Sequence, residues 1–271
     1  MPVPIDAGAS AGLLSYKGLP LGLTDTGEPR VTPVDGVIGL VCIGMSNGNQ
    51  ECADFIRQVD GGRFAGVLNP SVRVVNCAVG GHAIERWIDP AFDAVLWDAC
   101  LGNRLAQRGV RPDQVRVVWH KAARQFTTGA TGAVLPPYPD GSSDYFRFQQ
   151  DLTRFADVLR DRMPSVQAVY VSGRSYGGFA QSPGRGEPLS YEEGHALNQW
   201  LAAGGVSGDV WFGWGPYLWA PDCASGRMNG SGVCYERTDY QADGVHPAVG
   251  ALEKMTRLLH QRFSDHAWYR P

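Results

Sequence analysis

Continuous apolar runs alternate along the chain with stretches whose apolar residues recur every three or four positions. Val37-Ile38-Gly39-Leu40-Val41-Cys42-Ile43, Val72-Arg73-Val74-Val75-Asn76-Cys77, Val115-Arg116-Val117-Val118-Trp119 and Val166 to Ser172 are four such runs, and Asp209-Val210-Trp211-Phe212 is a short fifth. Runs of this kind suit strands buried on both faces of a parallel sheet. Between them, residues 49–59 place Cys52, Phe55, Ile56 and Val59 on one helical face. Residues 91–108, with Phe92, Val95, Leu96, Cys100, Leu101 and Leu105, predict another helix. Ser143 predicts the cap of a helix running through Met163. Ser190 predicts the cap of one reaching Leu201, with Glu192 and Glu193 in an acidic first turn. Pro247 falls at or near the first turn of a last helix bearing Leu252, Met255, Leu258, Leu259 and Phe263.

Strand and helix in alternation predict an α/β fold, a parallel sheet with helices on both faces. In such sheets a site forms at the carboxyl ends of the strands. Ser46, Gly80-Gly81, His120 to Arg124, Ser172 to Tyr176 and Asp243 to His246 should all converge on that rim. Residues 1–35 are rich in Gly, Pro and Thr without a period and predict an irregular N-terminal arm. Residues 36–271 then form one domain, since no linker-like stretch divides them. With 271 residues and 44% hydrophobic content, that domain can bury a sizeable core.

The net charge is -3 and Lys and Arg do not cluster, which gives no support to a nucleic-acid or anionic-membrane partner. No stretch approaches the roughly 20 apolar residues of a membrane span. Met1-Pro2-Val3-Pro4-Ile5-Asp6 lacks the basic and apolar regions of a signal peptide, so export implies a leader already removed. The six cysteines bear on export. Cys42 and Cys77 end two runs that should be neighbouring strands, Cys52 and Cys100 fall on predicted helices, and Cys223 and Cys234 flank a Gly/Ser-rich loop. None has the Cys-x-x-Cys spacing of a zinc or redox motif. Their even number and pairable positions favour disulfides and a secreted protein over six buried thiols, with Cys223–Cys234 the clearest pair. No metal or cofactor is expected, and oligomeric state stays open. Eight Trp suit either core packing or flat platforms for sugars.

A serine hydroxyl is a poor nucleophile until a base takes its proton, and an Asp commonly orients that base. Ser46 follows the first apolar run, and Asn47-Gly48-Asn49 leads into a helix whose first N–H groups could face an oxyanion. Asp243-Gly244-Val245-His246 stands just before the last helix and supplies an acid and a base three residues apart. The serine block is not a Gly-x-Ser-x-Gly elbow. Taken singly, Ser46 also reads as a helix cap and His246 as a locally bonded residue at a helix start.

In order and spacing, Gly44-Met45-Ser46-Asn47, Asn76-Cys77-Ala78-Val79-Gly80-Gly81-His82 and Asp243 to His246 resemble the SGNH (GDSL-like) hydrolase family. The resemblance covers about residues 36–264, and Asn after the Ser is closer to the carbohydrate acetylesterase branch. It implies a three-layer flavodoxin-like fold and hydrolysis of esters, often acetyl groups on sugars or acyl groups on lipids. Ser46 would attack, His246 act as base and Asp243 orient it, with the N–H groups of Ser46 and Gly81 as oxyanion donors. The family's third block carries an Asn after the third main strand. Here Trp119-His120-Lys121-Ala122-Ala123-Arg124 has none. Lys121 is the first candidate for the missing donor, the alternative being an ion pair beneath the site. Losing one such donor costs on the order of a hundredfold in rate, so a carbohydrate-binding homologue without activity is a competing reading.

Asn47, His120, Arg124, Arg174, Tyr176, Tyr217 and Trp219 are the expected substrate contacts, Arg holding a carboxylate or hydroxyl and the aromatics stacking on a sugar. Arg174 could instead pair with Glu192 or Glu193, and the aromatics could cover the sheet edge. Glu51 is expected only to begin a helix and support its dipole. The leading expectation is a secreted serine esterase acting on O-acyl groups of a carbohydrate. A lipid or lysophospholipid esterase is an alternative without a visible lid-like helix, and a glycoside hydrolase using Asp222, Asp239 and Asp243 is another.

Overall fold

All five apolar runs become strands of one sheet in a computed structural model: β1 (Ile38–Gly44), β2 (Val72–Asn76), β3 (Val115–Lys121), β4 (Ala168–Ser172) and β5 (Trp211–Trp214). The structure describes residue 13 and residues 16–20, 22–204 and 208–271. The strands pair in parallel in the order β2-β1-β3-β4-β5. That is the flavodoxin-like order, whose reversal of winding between β1 and β3 opens a crevice at the strands' carboxyl ends.

The helices are α1 (Ser46–Asp60), α2 (Ile84–Trp87), α3 (Leu105–Gln107), α4 (Asp144–Arg162), α5 (Leu189–Ala202) and α6 (Val249–Ser264). They cover both faces. Ile38, Leu40 and Cys42 of β1 face Phe55 of α1 and Met255, Leu259 and Phe263 of α6. Val41 and Ile43 face the other way, into the layer that holds Phe148, Leu152 and Phe155 of α4 and Ala196 and Leu197 of α5. Strand side chains alternate between faces, so one continuous apolar run feeds two cores. Each such side chain stabilises the fold by about 1.5–3 kcal/mol relative to exposure.

The predicted helix over residues 91–108 forms differently. Ala94–Asp98 and Cys100–Arg104 are π-helical and run into α3. Leu96, Cys100 and Leu105 are buried at spacings of four and five, which i→i+5 pairing accommodates better than the α-helical repeat. Ser143 sits at the N-cap of α4 without a side-chain cap bond. Ser190 is not a cap, because α5 starts at Leu189 after Pro188 and the Ser190 hydroxyl donates to Glu187 at 2.5 Å. Its Glu192 and Glu193 are buried, so that first turn is not a solvated acidic one. Pro247 precedes α6 by two residues.

All six cysteines are paired, as Cys42–Cys52, Cys77–Cys100 and Cys223–Cys234. The first two staple β1 to α1 and the end of β2 to the π-helical segment, one on each face of the sheet. Among the described residues no helix is long and apolar enough to cross a membrane. Residues 1–12 of the expected arm, Met1 to Asp6 included, lie outside the described residues. Residues 22–35 contain no helix. They start on the β5 side, where the Thr24 N–H donates to Asn198 Oδ1 at 2.7 Å and Trp211 Nε1 donates to the Thr26 carbonyl at 2.7 Å. They then cross toward β3 and β1, where Arg116 Nε donates to the Thr32 carbonyl at 3.1 Å and Gln114 Nε2 to the Val34 carbonyl at 3.2 Å.

Candidate active site

The crevice forms where β1 ends. Gly44 has φ +155°, and a Cβ there would lie 2.9 Å from the Lys121 carbonyl oxygen. A Cβ on Gly48 would lie 2.9 Å from Lys121 Cβ. Glycine at both places lets α1 start directly over the end of β3, where Gly44 and Lys121 are register partners. Ser46 is the first residue of α1, so its N–H is one of the helix's unpaired donors at the positive end of the dipole. Asn49 Nδ2 donates to the Ala78 carbonyl at 2.8 Å, and Asn76 Nδ2 donates to the Asn49 carbonyl at 2.9 Å. These bonds lash the start of α1 to the turn after β2. That turn carries Gly80, whose Cβ position lies 3.9 Å from Ser46 Cβ, and Gly81 at φ +77°, a left-handed conformation natural to glycine.

The loop before α6 completes the constellation. Ser46 Oγ lies 2.8 Å from His246 Nε2, and His246 Nδ1 is hydrogen-bonded to Asp243 Oδ2. Asp243 Oδ1 accepts the N–H groups of Val245 and His246, each at 3.0 Å. Partial burial opposes ionisation of Asp243, but those two N–H groups and the His246 ring outweigh it and bring its pKa to about 2. An ionised Asp243 holds the ring proton on Nδ1 and leaves Nε2 to accept from the serine. Gly244 is obligatory between them, because a Cβ there would sit 1.7 Å from the Phe179 carbonyl oxygen. Asn47 Nδ2 donates to the Val245 carbonyl at 2.9 Å and ties this loop to α1.

A cavity of about 70 Å³ opens beside Ser46 and is lined by Asn47, Gly81, Lys121, Arg174 and Tyr176, among others. The remaining expected contacts divide sharply. His120 does not reach the site. It follows Trp119 on the strand and therefore points to the opposite face, where it stacks on Phe155 with centroids 3.9 Å apart. Burial brings its pKa down to about 3. Tyr217 and Trp219 are buried rather than displayed, and neither lines the cavity. Trp219 Nε1 donates to Glu187 at 2.9 Å, and its ring backs Tyr176 edge-on at 5.9 Å. The aromatic loop after β5 is core, and among the described residues that line the cavity Tyr176 alone is aromatic.

The cations are engaged behind the wall. Lys121 Nζ lies 3.4 Å from Glu51 Oε1, both side chains buried. Burial pushes the Lys121 pKa down and Glu51 draws it back up; burial pushes Glu51 up and Lys121 draws it down. Glu51 is thus half of a buried ion pair inside α1, not a residue that starts the helix. Arg124 borders the cavity, yet its guanidinium is held by Asp151 at 2.7 Å, Asp144 at 2.9 Å and Glu85 at 3.6 Å. Arg174 takes Glu193 at 2.6 Å, one of the two partners weighed from sequence. Asp222 caps a 3₁₀ turn at Ala224 and Asp239 pairs with Lys254 at 2.6 Å, and neither lines the cavity. A pair of rim carboxylates is therefore not assembled. Among the described residues no group of three or more His, Cys, Asp or Glu could hold a metal.

Glu85 was not foreseen from the sequence, and Glu193 was weighed there only in a helix's first turn and as a partner for Arg174. Glu85 accepts the N–H groups of Gln125 and Phe126, and Glu193 accepts that of Arg124 at 3.0 Å. Together they fix the segment after β3 where the third block was expected. Arg185, which borders the cavity mouth, was also missed.

No protein-family model matches the chain, and no curated protein matches it. Among solved structures it is similar to a GDSL-like lipase from Bacteroides thetaiotaomicron, at 13% identity over 86% of this chain and 90% of that one, with a TM-score of 0.45. It is similar to the acetylxylan esterase Axe2 from Geobacillus stearothermophilus, at 15% identity over 86% and 96%, TM-score 0.47. The psychrotrophic esterase EstA from Pseudoalteromonas sp. aligns at 10% identity over 84% and 97%, TM-score 0.47.

Proposed function

We propose that this chain is a secreted serine esterase of the SGNH type that removes short O-acyl groups, acetyl first, from a carbohydrate. One observation carries the reading: Ser46 Oγ, His246 Nε2 and Nδ1, and Asp243 form an unbroken hydrogen-bonded series at the mouth of a cavity. His246 takes the Ser46 proton as Oγ attacks the ester carbonyl carbon, and gives it to the departing alcohol oxygen. The resulting acyl-serine is cleaved by water, with His246 as base again. The N–H groups of Ser46 and Gly81 face the developing oxyanion, and Lys121 is the candidate third donor in place of the family's Asn.

The size of the cavity favours a short acyl group over a lipid chain. About 70 Å³ is room for a few waters, when one water needs roughly 10–15 Å³ on this measure. The carbohydrate part rests on the resemblance of the Gly44 to Asn47 block and on Tyr176 as the ring beside the nucleophile. Three disulfides support an oxidising compartment.

The test is a panel of p-nitrophenyl esters from acetate to dodecanoate together with acetylated xylose and glucose, with Ser46→Ala as control. The reading expects kcat/KM to be highest for acetate and to fall steadily with chain length, with acetate released from the sugars. Highest activity on long chains would favour a lipid esterase, and sugar binding without any turnover would favour a non-catalytic homologue.

A further inference from the structure

The cavity beside Ser46 has a one-sided charge pattern. Lys121, Arg124, Arg174 and Arg185 all line it, and among the described residues no Asp or Glu does. Three of those cations have carboxylates behind the wall: Lys121 has Glu51, Arg124 has Asp144 and Asp151, and Arg174 has Glu193. Arg185 has none among the described residues. It ends the 3₁₀ turn Pro183–Arg185, on the outer side of the mouth, and is exposed. The nearest acid in sequence, Glu187, is turned inward, where Oε1 accepts from the Gly177 N–H at 2.8 Å and from Trp219 Nε1 at 2.9 Å. The triad's Asp243 is held by His246 Nδ1, on the far side of the ring from the serine.

The turn carrying Arg185 is fixed against the cavity. A Cβ on Gly177 would lie 2.8 Å from the Arg185 carbonyl oxygen, and the Thr127 hydroxyl donates to the Gly184 carbonyl. A guanidinium so placed is a fork of five donors matched to a planar anion. A site meant for neutral esters gains nothing from an uncompensated cation at its mouth, whereas an anionic substrate would be drawn in and oriented by it.

Resting on the esterase reading, we infer that the substrate is an acylated sugar bearing a carboxylate, of the uronic acid kind. Arg185 is the residue that selects it, by a bidentate contact to that carboxylate while the acyl group lies at Ser46. Arg185 acts on substrate choice and not on the chemical step.

The experiment compares kcat/KM for an O-acetylated galacturonic acid glycoside with that for its neutral methyl ester, in wild type, Arg185→Gln and Arg185→Lys. The acid should be preferred by about tenfold in wild type, the size of one charge-assisted contact. The preference should shrink at high salt, vanish in Arg185→Gln and survive in part in Arg185→Lys. Equal rates for acid and methyl ester in wild type, or a preference that persists in Arg185→Gln, would overturn the inference. An O-acetylated sulfated sugar serves as a third arm: preference for sulfate over carboxylate overturns the choice of anion. Titration of galacturonic acid and its methyl ester into Ser46→Ala reads the same selectivity as binding. It therefore decides the inference even if p-nitrophenyl acetate is not turned over and the esterase reading fails.

Discussion

Lys121 Nζ lies 3.4 Å from Glu51 Oε1, and both side chains are buried beneath the turn that carries Ser46. Glycine at 44 and 48 lets the two elements approach closely enough for this pair to form. An ion pair in such a place can be a structural support, an oxyanion donor, or both, and the two roles separate experimentally.

Lys121→Met strands a buried carboxylate, and loss of one partner of a buried pair costs about 3–5 kcal/mol. Urea denaturation should show that loss, and Glu51→Leu added to Lys121→Met should recover most of it. If Lys121 also donates to the oxyanion, the double variant recovers stability but not turnover. Its kcat stays on the order of a hundredfold low with KM little changed. Full recovery of kcat in the double variant would leave the pair a purely structural one.

His120 stays neutral in the fold. The unfolded chain protonates it near pH 6.5, whereas burial brings its folded pKa to about 3. Its contribution to stability is therefore whole above pH 6.5 and is lost as pH falls from there toward 3. The slope is about 1.4 kcal/mol per pH unit for one proton. His120→Phe keeps an aromatic ring against Phe155 and removes two buried ring nitrogens that have no hydrogen-bond partner among the described residues. Its stability, followed by denaturant melts between pH 7 and 4, should fall less steeply than that of wild type. An unchanged slope would contradict the burial assigned to His120.

The three disulfides should be unequal. Cys42–Cys52 and Cys223–Cys234 close loops of 10 and 11 residues in sequence separation, and Cys77–Cys100 closes one of 23. Longer loops lose more entropy on closure, and each bridge is worth about 2–4 kcal/mol. Paired Cys→Ala variants should therefore rank Cys77–Cys100 as the costliest to remove. Alkylation of the native protein should label no cysteine before reduction and six after it.

Much of the fold was open to a reader of the sequence because buried parallel strands and short loop motifs are local signals. Val37 to Ile43 is apolar throughout and Val115 to Trp119 is broken only by Arg116, and both became central strands. Ser46 at the end of one strand and Asp243-x-x-His246 before the last helix needed only their order. What failed depended on facing. His120 and Lys121 were both expected at the rim, yet neighbours on a strand point oppositely, so one of them had to enter a core. Tyr217 and Trp219 follow β5 as a rim residue would, and nothing in their spacing shows that the loop turns inward onto Glu187. Glu51, Glu85 and Glu193 were illegible as site-shaping groups, because their partners lie 70, 40 and 69 residues away, at Lys121, Gln125 and Arg124.

Asp243 is ionised down to about pH 2, so its protonation does not limit activity at mildly acid pH. Asp243→Asn removes the acceptor that keeps the ring proton on Nδ1. It should lower kcat by about ten-thousandfold at neutral pH, with folding intact by circular dichroism. A loss of only a few-fold would mean that the His246 tautomer is set by something other than Asp243.

The central claim is that Ser46 is the nucleophile, and the most direct measurement is covalent labelling with a fluorophosphonate followed by peptide mapping. The account predicts one phosphonylated residue, Ser46. It also predicts a Ser46→Ala protein that is folded, unlabelled and slower on p-nitrophenyl acetate by about a thousandfold or more. A label on another residue, or a Ser46→Ala variant that retains turnover, would contradict it.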